Sequence, residues 1–401
     1  MRIRNFISML VLSLLFAGIV SAQGVSPESA AKYTEGQGLY EKRRYAEAVK
    51  AFEDAVKLDG KNAQAYRALG SAYQKQRNID KAVEAYKMAI TVKSDYASAY
   101  FELGQLQATA QKKFDAAQAS FKKVIEIDPN FESGKAKENL QKMYLAQGTV
   151  YFKSKNYSKA ATEYENAAQL DPTDVSAFYN LGLAQKAARN YSAAENAFST
   201  AVDLDNTYGK AHRALGDLYR DTGKNSDAAS AYLKAIQADP KDTDSRLKLA
   251  IVYMDMKQNG KAIATLQQAV EIDTKNSELY NALGKAYAEE KQFKNAIDAY
   301  TRAIAIKNNA EYHYRSASAY LELKQYQNGI ASAQKAVTDP KWRVPANVVM
   351  GDCYRDLGQK EKAMEHYRLG AGDRIYKKYC EDQIERIKNP AGTSETSADT
   401  Q

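Results

Sequence analysis

Apolar and small residues recur along this chain at offsets of three and four, in runs separated by short polar stretches. Such offsets fall on one face of a helix. Each run therefore predicts an amphipathic helix, and each polar stretch, Gln76-Arg77-Asn78 for example, predicts a turn. Pairs of these helices form a unit that repeats. Gly36, Gly70 and Gly104 stand 34 residues apart, and so do Gly148, Gly182 and Gly216. Ala250 takes the next place, Gly284 resumes the series, and Ala317 and Gly351 close it after one step shortened by a residue. A period this strict denotes one supersecondary unit copied along the chain. Stacked units of that kind build extended surfaces, each unit touching only its neighbours.

The register inside the unit is also fixed. A large side chain comes shortly before the glycine (Tyr66, Tyr100, Tyr144, Phe178, Tyr280), leucine immediately before it (Leu69, Leu103, Leu181) and tyrosine three after it (Tyr73, Tyr151, Tyr219, Tyr253). Further on come an alanine (Ala48, Ala82, Ala160), an aromatic (Phe52, Tyr86, Tyr164, Phe198) and another alanine (Ala55, Ala89, Ala167). Several units end in Asp-Pro, as at Pro129, Pro172 and Pro240; proline stops one helix and suits the first turn of the next. A small residue where two helices cross lets their backbones approach, and the aromatics fill the space around it. This register resembles that of the tetratricopeptide repeat family, over about residues 29–377. The resemblance implies an all-α, right-handed superhelical solenoid of about ten helix-turn-helix repeats with a C-terminal capping helix. It also implies a non-enzymatic scaffold or adaptor that binds other proteins. The departures are Leu39 in repeat one, Ala250 and Leu266 in repeat seven, and Ala317, Gly329 and Ala333 in repeat nine.

The repeats order the rest of the chain. Between Gly104 and Gly148 the spacing widens to 44. Residues 132–140 read as a helical insertion that lengthens the first helix of repeat four, between repeats one to three (29–131) and four to ten (141–377). Residues 1–22 combine Arg2 and Arg4, an apolar run from Phe6 to Val20, and Val20-Ser21-Ala22. They read as a secretory signal peptide cut after Ala22, with an uncleaved anchor as the alternative. A short spacer, 23–28, follows. Cleavage predicts a periplasmic or secreted protein without an integral membrane span, since no second hydrophobic run exists. Residues 378–389 complete the capping helix, and 390–401, without a large apolar residue, read as a disordered tail. Cys353 and Cys380 fit either buried thiols or a disulfide stapling that cap.

Charge and chemistry narrow the function. Lys and Arg number 57 against 49 Asp and Glu, a net charge of +8. The two signs are mixed along every repeat and no basic run stands out, which argues against a nucleic-acid partner. His212, His313 and His366 are far apart and share no metal-ligand spacing. No phosphate loop, nucleophile elbow or Cys-x-x-Cys occurs, so neither catalysis nor a cofactor or metal is expected. In the family, the first helix of each repeat lines a concave groove. Its groove positions fall here on Tyr33, Gln37 and Tyr40 in repeat one, Arg67 in repeat two, Phe101 and Gln105 in repeat three, Phe152 in repeat four, and Tyr179 and Asn180 in repeat five. Repeats three to five thus read as an aromatic, neutral stretch suited to a protein or peptide segment. An envelope polysaccharide is the other partner class. The clamp with which some family members hold a C-terminal carboxylate is incomplete, because Arg67 and Ser71 are followed by Glu102.

Overall fold

The computed structural model describes residues 24–389, so the segments read as signal peptide and disordered tail lie outside the described residues. Those residues form 21 α-helices and one 3-10 turn, with no strand among them. They fall into two compact units that meet after Thr200. The first holds α1 (Pro27–Glu41), α2 (Tyr45–Leu58), α3 (Ala63–Lys75), α4 (Ile79–Val92), α5 (Ala97–Thr109), α6 (Phe114–Ile127), α7 (Lys135–Lys153), α8 (Tyr157–Leu170), α9 (Val175–Ala187) and the start of α10 (Tyr191–Leu204). The second continues with α11 (Gly209–Asp221), α12 (Asn225–Ala238), α13 (Thr243–Asp255), α14 (Asn259–Ile272), α15 (Ser277–Glu289) and α16 (Phe293–Ile306). It ends with α17 (Ala310–Glu322), α18 (Tyr326–Ala336), α19 (Pro340–Asp356), α20 (Lys360–Gly370) and α21 (Lys377–Lys388). Within each unit a helix packs chiefly against the helices before and after it in sequence. Odd-numbered helices up to α19 carry the recurring glycine and their even-numbered partners the aromatic, except that α13 and α17 hold Ala250 and Ala317 opposite Leu266 and Ala333.

That pair is the closest joint in the repeat. A Cβ on Gly70 would lie 2.7 Å from the Tyr86 ring, one on Gly216 2.6 Å from Tyr232, and one on Gly284 2.5 Å from Tyr300. All three rings are fully or almost fully buried. Their hydroxyls are not left unpaired at the crossing. The residue after the glycine meets the hydroxyl in several repeats: Ser71 lies 3.2 Å from Tyr86 Oη and Thr149 3.2 Å from Tyr164 Oη. Tyr232 donates to Asp217 at 2.6 Å and Tyr367 to Asp352 at 2.7 Å. Burying a phenol without such a partner would cost about 1–3 kcal/mol.

The odd helices from α1 to α19 all end in the same way. Arg43, Arg77, Lys112, Lys155, Arg189, Gly223, Lys257, Lys291, Lys324 and Gly358 all have φ between 53° and 76°. In nine of these turns the next N–H reaches back five residues to a carbonyl, as Asn78 N does to Tyr73 O at 2.9 Å. This is a Schellman end, which satisfies carbonyls the helix leaves open. Its left-handed position normally belongs to glycine, yet eight of the ten hold lysine or arginine. The third turn, one residue longer, closes instead through Lys113 N to Gln107 O at 2.9 Å. Helix starts are capped by Asn or Asp side chains, among them Asn62, Asp174, Asp242, Asn276, Asn309 and Asp339.

Two stretches depart from the repeat. Phe131–Gly134 is a 3-10 turn in which Glu132, Ser133 and Gly134 all have positive φ. The extra helix follows from Lys135, making α7 19 residues long. At the other end α21 docks through a buried carboxylate: Asp352 accepts from Tyr367, from Tyr379 at 2.6 Å and from Arg355 at 3.2 Å. Arg355 also donates to Gln383 at 2.9 Å. The two cysteines are free, buried thiols. Cys353 Sγ faces Gly329 and Cys380 Sγ faces Gly370, so each fills the space beside a different glycine. Burial pushes their pKa values up, to about 12 for Cys353 and about 11 for Cys380.

The joint gives opposite signs for two glycine substitutions. Gly216→Ala forces a methyl against a ring whose hydroxyl is fixed, so overpacking of about 1–3 kcal/mol outweighs the gain of about 1 kcal/mol in helix propensity. Gly38, on α1, has nothing within 4 Å of its would-be Cβ. Gly38→Ala should therefore stabilise by up to about 1 kcal/mol. Amide hydrogen exchange should show faster opening of α11 and α12 in the first variant and slower opening of α1 in the second.

Candidate functional site

The first helices of repeats one and two enclose a hollow of about 180 Å³ in the first unit. Tyr33, Gln37, Tyr40 and Glu41 line it from α1, Phe52 forms its floor from α2, and Arg67, Ala68 and Ser71 close it from α3. The wall is mostly aromatic and alkyl, with a few placed polar groups, which is the usual make-up of a site for one side chain or a small ligand. Helix periodicity puts Tyr33, Gln37 and Tyr40 on one face of α1 and Arg67 and Ser71 on the matching face of α3. Gln37 Nε2 donates to Tyr33 Oη at 2.7 Å, which fixes both groups. Tyr40 stands edge-on to Tyr45 with ring centres 5.3 Å apart.

Arg67 is the basic member, with Glu41 the acidic one. Its Nη1 donates to Glu102 Oε1 of α5 at 2.7 Å, and its guanidinium lies 5.8 Å from the centre of the Tyr96 ring. Ser71 Oγ also reaches Glu102 Oε2, at 3.4 Å. The Arg67 Nε is buried with no hydrogen-bond partner. A buried donor of that kind is costly unless something supplies an acceptor. Burial raises the Glu102 pKa, and Arg67 beside it draws it back only in part. For Arg67, burial pulls the pKa down, but Glu102, Tyr96 and Tyr33 outweigh it and the net shift is upward. Arg67 therefore enters the hollow already paired with a carboxylate, which disfavours a second anion there.

The remaining groove candidates are spread along the first unit rather than gathered. Phe101 is not a groove side chain: it is 5% exposed, packed against Phe121 at 5.7 Å and Phe131 at 5.1 Å. The reason is local. The 3-10 turn before α7 carries Phe131 over Phe101, and Lys135 Nζ covers the ring at 5.7 Å. Tyr33 is 7% exposed, so only its edge meets the hollow. Gln105, Phe152, Tyr179 and Asn180 are half-buried. Phe152 packs edge-on to Tyr157 at 5.3 Å and Tyr179 lies 6.1 Å from Phe198. Ser71 stands at a groove position readable from the repeat register, but sequence reasoning did not pick out Glu102 as part of a site. A carboxylate one repeat after an arginine, at the neighbouring groove position, was the available signal. In the second unit the corresponding face carries Asp217, Asp242, Asp244, Arg213 and Lys248, which pair among themselves. Among the described residues no group of His, Cys, Asp and Glu could hold a metal ion, and no helix is long and apolar enough to cross a membrane.

Comparison with known families rests on three matches. Models described as tetratricopeptide repeat match residues 33–95 and residues 310–338 and 344–371. A model described as the C-terminal domain of cilia and flagella-associated protein 70, a tetratricopeptide repeat domain, matches residues 94–311, more than half of the chain. The chain belongs to the tetratricopeptide repeat family. No curated protein matches it. Among solved structures it is similar to MamA (25% identity over 48% of this chain and 98% of that one, TM-score 0.39). It is also similar to YrrB, described as a TPR protein with an unusual peptide-binding site (18% identity, 49% and 97% covered, TM-score 0.40). A third is a tetratricopeptide repeat protein from Parabacteroides merdae (13% identity, 62% and 99% covered, TM-score 0.44).

The raised pKa of Glu102 gives this tetratricopeptide repeat site a pH signature. A carboxyl group whose folded pKa lies above its unfolded value binds more protons when folded. Its stabilising contribution is full below the ordinary value of 4.5 and is lost as pH rises through the higher folded value. Glu102→Gln removes that dependence. Denaturant unfolding followed from acid towards neutrality should show the wild type losing stability relative to Glu102→Gln; parallel curves would contradict the shift.

Proposed function

We propose that this protein is a non-enzymatic adaptor that holds an extended or helical segment of a partner protein against its first-helix face, anchored in the hollow of repeats one and two. The observation that carries the reading is that hollow: two tyrosines, an amide and an arginine with one unpaired donor converge on a space sized for a single side chain. Tyrosine and arginine at the centre of a concave surface are the residues that most often dominate binding energy. The pairing of Arg67 with Glu102 favours an uncharged anchor with an acceptor for Nε over a carboxylate. The leader-like residues 1–22 support a periplasmic or secreted setting for that partner.

A peptide library displayed on phage and selected against the mature protein tests this. Tyr40→Ala and Arg67→Met should each weaken the selected peptides by about tenfold or more, a loss of about 1.4 kcal/mol. Replacing the exposed Lys234 on α12 by alanine should leave binding unchanged. Selected peptides that bind both hollow variants as tightly as the wild type would show that the hollow is not the anchor.

A further inference from the structure

The turns that end the odd helices of the first unit gather a row of cations that no stretch of sequence displays. Arg43, Arg77, Lys112, Lys155 and Arg189 occupy the left-handed position of the five successive turns. All five are exposed, and none makes an ion pair or side-chain hydrogen bond with another described residue. In four of the turns a second exposed base stands beside them: Lys42, Lys75, Lys113 and Lys153. From the last residue of each odd helix to the start of the next, the only acid in these turns is Glu41. The stretches are a whole repeat apart in sequence, which is why the chain shows no basic run. Stacking brings equivalent turns to one edge, about 10 Å apart at ordinary helix spacing, so five of them span about 40 Å.

Two features separate this row from ordinary surface charge. First, a left-handed position costs a side-chain-bearing residue about 1–2 kcal/mol relative to glycine. In the first unit none of the five turns takes the glycine. Second, the second unit supplies an internal comparison. Its turns have the same backbone, yet two hold glycine, at Gly223 and Gly358, and every one contains an acid: Asp221, Asp255, Glu289, Glu322 or Asp356. Attraction between a cation and a helix C-terminus acts equally on both units and does not account for the difference.

We propose that this edge of the first unit docks an extended acidic polypeptide segment of a partner protein. Most aromatic rings beside the row are already covered; Tyr191, at the fifth turn, is the exception and stands 40% exposed. Lys81 lies 5.4 Å over Tyr73 and Lys159 5.5 Å over Tyr151, while Tyr45 and Tyr157 stand edge-on to Tyr40 and Phe152. One exposed ring at the end of the row is not the succession of stacking platforms that holds single-stranded nucleic acid. Charge remains, spaced so that an extended chain of about 12 residues, at roughly 3.3 Å each, would follow it. The row adjoins the hollow at its first turn, where Glu41 belongs to both, and runs away from it over the next four; it extends the protein-binding reading.

The test uses the full-length mature protein and a fluorescent peptide of about 15 residues alternating Glu and Ser, long enough to cover the row. Replacing Arg43, Arg77, Lys112, Lys155 and Arg189 together by glycine removes the charge and leaves the backbone its preferred residue. Binding should weaken at least roughly tenfold at low salt and lose most of its salt dependence. Lys257→Gly, Lys291→Gly and Lys324→Gly combined should change it little, and so should Tyr40→Ala with Arg67→Met, which separates this proposal from the hollow. An equal loss in the second-unit variant, or equal affinity for a Gln-Ser peptide, would overturn it. So would single-stranded DNA or anionic vesicles binding as tightly through the same five residues.

Discussion

Everything in this fold depends on one contact: in eight of the ten repeats a glycine in the first helix is pressed against a ring in the second. The distances leave no room for a methyl group, so the crossing has a fixed size. The chain confirms this where the glycine is lost. Ala250 faces Leu266, and Ala317 shares its cluster with Ala333, in the two repeats that lack the ring. A methyl appears on one side only where carbon is removed on the other, as close packing requires. The weak repeats are thus a second solution to the same volume.

The contact also limits what the groove face can be. A tyrosine ring that crosses beneath the first helix brings its hydroxyl up beside the residue after the glycine. Ser71, Thr149, Asp217 and Asp352 meet it there. That position is therefore shared between structure and recognition. In repeat one the ring is Phe52, which needs no partner, and Gln37 at the equivalent place turns to Tyr33 instead. The hollow opens at a repeat whose crossing makes no polar demand on the groove, a property it shares with the crossings at Phe121 and Phe198.

Helix pairing, register and turn placement were legible in the sequence because period and packing carry the same information. The turn conformation was not: left-handed residues are read from glycine, and only Gly223 and Gly358 announce it. The site was legible in part. Tyr33, Gln37, Tyr40 and Arg67 come together, but Phe101 drops out because a residue thirty places later, Phe131, folds over it. Aromatic residues at a groove position look alike in sequence whether they face solvent or a neighbouring turn. Burial distinguishes them, and burial here was decided by the insertion rather than by the repeat.

Charge obeys a different logic from packing in this chain. The packing positions repeat in both units, whereas the turn residues are free of packing and can diverge. In the first unit the acids concentrate at the other set of turns, where Asp59, Asp128, Asp171 and Asp174 accept from backbone N–H groups at helix starts and tight bends. Carboxylates there satisfy donors and complement the positive helix ends. Cations at the opposite turns meet carbonyl ends that the Schellman bonds already satisfy. The acids are thus held in place by local hydrogen bonding, and the bases are not. Bases in this disfavoured backbone conformation recur at eight turns across both units, so the conformation alone does not single out the first unit; what does is that its turns hold a single acid, Glu41, whereas every turn of the second unit holds one.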